Sequence, residues 1–145
     1  RVTIATAGVI FKERESDELR KSATLVPNAK SLVESLSLFS DVYLVNHVLD
    51  DASAKRVMSA LTAGGLCGGG GREENAAPVK SHKVLFCEKH VSKVSIARQI
   101  EPDVHVDAEK ATVKELQRFL PKVLFIDSSS SKDSIQQKPN VVIAD

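Results

Sequence analysis

A three-layer Rossmann-like α/β domain, with helices on both faces of a mainly parallel sheet, is predicted by two features of this chain. Short runs of Val, Ile and Leu recur at residues 2–4 with 9–11, 42–45, 84–87, 123–126 and 141–144, and helical patterns lie between them. The runs are nearly continuous rather than alternating, as strands buried on both faces of a parallel sheet are. Residues 104–106, between Asp103 and Asp107, make a shorter sixth candidate. Strand-helix alternation with right-handed crossovers then gives the layers.

In chain order, "VTIATAGVIF" opens as a buried strand that runs into a small-residue loop. Pro27 suits a first helical turn, and Leu32, Val33, Leu36 and Phe39 follow as one apolar stripe. After the second strand, Asp50 or Asp51 can cap a helix carrying Ala54, Val57, Met58 and Leu61, which stops at Gly64-Gly65. Residues 63–82 hold six of the seven glycines without a usable period, and read as a flexible insert. Past the third strand, Ser92 can cap a helix with Val94, Ala97 and Ile100 that ends near Pro102. A helix over 111–120 would offer Val113, Leu116 and Phe119 before Pro121. Residues 127–140, after the fifth strand, form a polar loop, so residues 1–145 make one domain with one insert and one loop.

Composition narrows the function. The chain has 145 residues, 42% apolar and 27% charged, which suits a single soluble core. With 20 Lys and Arg against 19 acids, one Tyr and no Trp, it offers neither a basic field nor stacking platforms for nucleic acid. Cys67 and Cys87 make no disulfide framework and fit a reducing compartment such as cytosol. No apolar run approaches the roughly 20 residues that span a bilayer. The chain opens on Arg1 without a Met, and the expectation is a fragment whose upstream segment lies elsewhere.

Each motif with apparent chemistry has a plainer reading. The glycine tract follows a helix rather than a strand and lacks the Lys-Ser/Thr of a phosphate loop, so a linker is preferred over a nucleotide-binding module. Cys87, at a strand end, is followed by a phosphatase-like loop, but Lys93 brings a point charge where a bidentate guanidinium is needed; a packed thiol is preferred. His82, Cys87 and His90, with Cys67, lack the paired signatures of structural zinc, and no metal or cofactor is expected. Asp127 and Asp145 end strands where α/β ligands bind, though lone acids there also cap and turn.

The layout resembles the haloacid-dehalogenase-type fold. In that superfamily the first strand ends in Asp-x-Asp-Gly-Thr/Val, whose first Asp is the nucleophile and whose two acids help hold magnesium. Here Ala5-Thr6-Ala7-Gly8-Val9 keeps the frame with Ala5 and Ala7 at both acid positions. The second strand, which should end in a phosphoryl-holding Ser or Thr, ends in Asn46, and the last motif, usually two acids, is matched to Asp127-Ser128. A methyl group cannot attack phosphorus, and Mg²⁺ demands oxygen ligands. The resemblance therefore implies degenerate positions Ala5, Ala7, Asn46 and Asp127, and no catalytic residue; a phosphatase with a degenerate site is the competing reading.

A closer resemblance covers most of the chain. The segments "LVPNAKSLVESLSLFSDVYLVNHV", "HKVLFCEKHVSKVSIARQIEPDVHVD" and "LPKVLFIDSS" are similar to the soluble domain of the plant peroxin 22 family. That resemblance implies a membrane anchor upstream of residue 1 and a cytosol-facing domain at the peroxisomal membrane. It also implies a heterodimer with peroxin 4, a ubiquitin-conjugating enzyme associated with ubiquitination and recycling of the import receptor. The expected role is a non-enzymatic adaptor, and the sequence assigns no partner-contacting residue.

Overall fold

The computed structural model describes residues 1–68, 75–127 and 140–144. Six strands, β1 (Val2–Ala5), β2 (Val42–His47), β3 (Val84–Cys87), β4 (Val104–Asp107), β5 (Val123–Ile126) and β6 (Val141–Ala144), form one sheet in the order β3-β2-β1-β4-β5-β6. All five pairings are parallel. Five α-helices accompany them among the described residues: α1 (Ser16–Leu19), α2 (Ala29–Ser37), α3 (Asp51–Ala63), α4 (His90–Ile100) and α5 (Lys110–Leu116). This is the expected three-layer α/β architecture. None of these helices is long and apolar enough to cross a membrane.

The path explains the layers. The chain steps outward from β1 through β2 to β3, then α4 carries it back past β1 to β4, and it proceeds to β5 and β6. Because parallel crossovers are right-handed, reversing direction moves the helices to the other face. Val33 of α2 and Val57 and Leu61 of α3 pack with Val2, Ile4 and Leu44 on the first face. Val94 and Ala97 of α4 and Val113 and Leu116 of α5 pack with Val123 and Phe125 on the second.

Several expected boundaries move, each for a local reason. The opening apolar run is not one strand: the Thr6 carbonyl accepts N–H groups from Val9, Ile10 and Phe11 at 3.2, 2.9 and 3.0 Å and turns the chain. Gly8 takes φ 75° in this turn, and a Cβ there would lie 2.8 Å from that of Ala108. An antiparallel flap follows, with Lys12 N donating to Thr24 O and Val26 N to Ile10 O, and α1 lies within it. In α2 only Val33 of the four-residue stripe is fully buried; the helix ends before Phe39, which is 89% exposed. The fourth helix starts at His90 after Lys89 instead of being capped by Ser92, and ends on left-handed Glu101. The fifth is shorter than 111–120, leaving Phe119 half-exposed beyond its end.

Residues 63–82 are tied down at both described ends. Leu66, Cys67 and Val79 are buried, Val79 N donates to Leu66 O, and a 3₁₀ turn at Ser81–Lys83 leads into β3. Residues 69–74, most of the polar loop, and Asp145 lie outside the described residues.

Candidate functional site

In an open α/β sheet, ligands bind beyond the carboxyl ends of the strands where strand order reverses, here between β1 and β4. A cavity of about 420 Å³ lies there, with Ala7, Arg14, His47, Lys93, Asp107 and Glu109 in its lining. Ala5 ends β1 and is buried. Asn46, near the end of β2, is a buried strut: its Nδ2 donates to Leu85 O at 3.0 Å, and its Oδ1 accepts from the Thr6 hydroxyl. Both ends of that amide are used within the fold. Asp127 follows β5, and β4 separates it from β1, so it does not join the two alanines. The acids beside β1 are Asp107 and Glu109, at and just after the end of β4.

These acids face inward to a cation of the chain itself. Lys93 Nζ lies 3.1 Å from Asp107 Oδ2 and 2.8 Å from Glu109 Oε2, with Lys93 and Asp107 both buried. Asp107 Oδ2 is also 2.9 Å from His105 Nε2, and His105 Nδ1 is 2.6 Å from Thr3 Oγ1. A carboxylate accepts the Nε2 proton, which leaves Nδ1 to accept from the Thr3 hydroxyl in the neutral ring. Glu109 N donates to Asp107 Oδ1, and the Thr112 hydroxyl to Glu109 Oε2, both at 2.9 Å. A line of contacts thus runs from Thr3 on β1 to α5.

Burial and pairing oppose each other here. Burial pushes the Asp107 carboxyl up, but the His105 hydrogen bond and the Lys93 charge outweigh it and hold it below its usual value. Burial likewise pushes Lys93 down, and the Asp107 charge with Glu109 raises it above an ordinary lysine. Glu109 is lowered because its Lys93 hydrogen bond and charge overcome burial. The ammonium sits between carboxylates that could otherwise attract an external cation. Ala5 and Ala7 supply no attacking atom at the end of β1, where the haloacid-dehalogenase frame carries its acids.

The other sequence candidates do not assemble. Cys87 Sγ faces Asn46 O at 3.7 Å, and burial pushes its thiol up despite the charge of Lys93. Cys67 packs in the first-face core, while His82 is exposed. Among the described residues, no group of three or more His, Cys, Asp or Glu could hold a metal ion.

A second feature lies on the sheet's first face. α2 and α3 pack over the first face of β1 and β2, and Leu32 and Leu36 of α2 reach on to Val106 of β4 and Leu124 and Ile126 of β5, while Val142 of β6 stays exposed among the described residues. Register sets Ile4 beside Val106, Val106 beside Leu124 and Leu124 beside Val142, making an apolar row. Leu32 and Leu36 of α2 wall one side of a cavity of about 220 Å³ whose floor includes Val106, Leu124 and Ile126 and whose lining is wholly apolar. Leu32 is 43% and Val142 41% exposed. Pure parallel sheets are normally covered on both faces, so the exposure of Leu32 and Val142 among the described residues marks an apolar surface at the outer end of this row.

Sequence reasoning missed both arrangements. Lys93 was weighed only as a charge following Cys87, although an Asp-x-Glu ending a strand was available as its partner.

The family model for "Peroxisome biogenesis protein 22, Haloacid dehydrogenase-like domain" matches residues 1–143. The chain is also 34% identical over 126 residues to Peroxisome biogenesis protein 22 of Arabidopsis thaliana. That match covers 87% of this chain and 42% of the relative, so the chain spans less than half of the relative's length.

Proposed function

We propose a docking role in peroxisome biogenesis for this chain, which belongs to the peroxisome biogenesis protein 22 family. In this reading the domain is non-enzymatic and recruits the ubiquitin-conjugating enzyme peroxin 4. It faces the cytosol from an anchor upstream of residue 1, and supports ubiquitination and recycling of the import receptor. The apolar first face carries the reading, because it is a sheet-backed surface that the described residues leave partly exposed at Leu32 and Val142. The crevice supports it from the other side, since its charged groups are spent on one another.

A standard interface buries about 800 Å² on each partner, so the rim of the apolar face would take part as well. Tethering would raise the conjugating enzyme's local concentration near its substrate. Co-purification of this domain with peroxin 4, followed by calorimetric titration, tests the role. A saturable one-to-one complex is expected; no heat and no co-elution at tens of micromolar, a range that detects even weak complexes, would overturn it.

A further inference from the structure

The sheet's amino-terminal edge, opposite the crevice, carries two of the most exposed large apolar side chains. Leu38 and Phe39, adjacent at the end of α2, are 79% and 89% exposed. Phe119, in the turn after α5, is half-exposed, with the Arg98 guanidinium 3.7 Å from its ring centre. These anchors belong to opposite helix layers, because α2 packs on the first face and α5 on the second. The anchors therefore stand on opposite sides of the sheet at the same end of its strands. A protein hot spot would be a contiguous cluster; two separated anchors on a common edge suit a flat surface.

Charge at the same edge points the same way. Among the described residues, the segments that lead into the strands gather Arg1, Lys80, Lys83, Arg118 and Lys122 against Asp41, Glu101 and Asp103, and the last turn of α4 adds Arg98 where that of α5 adds Lys114 and Glu115. That is seven cations against four anions, so the near-neutral total of 20 against 19 hides a basic edge. Two of the edge anions are engaged locally, Asp41 with Lys83 at 3.2 Å and Asp103 with the terminal amine at 2.8 Å. Arg98, Arg118 and Lys122 flank Phe119, and their long stems let the charges reach outward while apolar groups insert.

We infer that this amino-terminal edge is a contact surface for an anionic lipid bilayer, with Leu38, Phe39 and Phe119 entering the headgroup boundary and the basic residues facing lipid phosphates. Interfacial binding needs apolar insertion together with cationic attraction, and this edge supplies both. The contact goes beyond the docking reading and does not depend on it.

Flotation of the purified domain with vesicles, in the absence of any protein partner, tests the contact. Vesicles containing about 30% phosphatidylserine in phosphatidylcholine should carry the domain upward, whereas pure phosphatidylcholine should not. On the order of 0.5 M salt should release most of it. Leu38→Ser with Phe39→Ser, and separately Arg118→Glu with Lys122→Glu, should each reduce the bound fraction about tenfold, with an unchanged circular dichroism spectrum. No flotation of the unmodified domain, or flotation unaffected by either pair, would overturn the inference. Loss of peroxin 4 binding in Leu38→Ser with Phe39→Ser, without vesicle association of the unmodified domain, would assign the edge to a protein and overturn it too. Failure of the docking reading would register only in the peroxin 4 titration.

Discussion

β4 presents two surfaces that differ in every respect except their backbone. Its second-face residues, His105 and Asp107, are polar, buried and joined to Thr3 and Lys93. Its first-face residues, Val104 and Val106, are apolar and line the cavity walled by Leu32 and Leu36 of α2. A crevice whose charges are paired internally gains little by binding another molecule, because a ligand would have to displace contacts already made. An apolar row beside open solvent gains from any complementary surface. Thus Lys93, Asp107 and Glu109 satisfy one another in the crevice, while the first face keeps exposed apolar area at Leu32 and Val142.

Breaking the paired side should have the largest effect. Lys93→Met leaves Asp107 buried without its cation, which should cost about 3–5 kcal/mol, read as a lower urea midpoint. The pH dependence sharpens the same point. Asp107, Glu109 and Glu13 have carboxyls held below their ordinary values of 3.8, 4.5 and 4.5, so their stabilisation is present above those values. It is lost as pH falls through the lower folded values. Lys93 is raised above 10.5, so its contribution is present below that pH and lost as pH climbs through its folded value. Urea midpoints should therefore hold from about pH 5 to 10 and drop in acid. The gap between wild type and Lys93→Met should narrow there, because a protonated Asp107 no longer needs its partner.

The bare face should respond weakly to the same assay. Leu32→Asp with Val142→Asp changes side chains that are already over two-fifths exposed, and the urea midpoint should shift by less than about 1 kcal/mol. The smallest expected effect is that of magnesium. Added Mg²⁺ should leave the thermal midpoint of the wild type unchanged, while Ala5→Asp with Ala7→Asp should acquire a Mg²⁺-dependent rise. A rise in the wild type would contradict the view that Lys93 satisfies the crevice's acids.

What the sequence revealed was mostly local. α3 was readable because its signals are adjacent: Asp50 accepts from Ser53 N at 2.7 Å at one end, and Gly64-Gly65 stands at the other. β4 looked marginal, yet it is central, because His105 and Asp107 interrupt its apolar run and are made acceptable by partners distant in sequence. Thr3 is 102 residues from His105, and no periodicity reports such a contact. Phe39 and Phe119 were counted into helical stripes that stop short of them. The two alanines could be placed from the strand-loop frame, whereas the acid on the neighbouring strand needed the sheet order, which moved attention from Asp127 to Asp107.

The central claim is that affinity resides on the apolar half-face and not in the crevice. Calorimetric titration of peroxin 4 into wild type, Leu32→Asp with Val142→Asp, and the crevice variant Lys110→Ala tests it most directly. The account predicts that the face variant binds at least about 30-fold more weakly, roughly 2 kcal/mol, while Lys110→Ala binds as the wild type does. Equal affinity of the face variant and wild type, or a loss confined to Lys110→Ala, would contradict it.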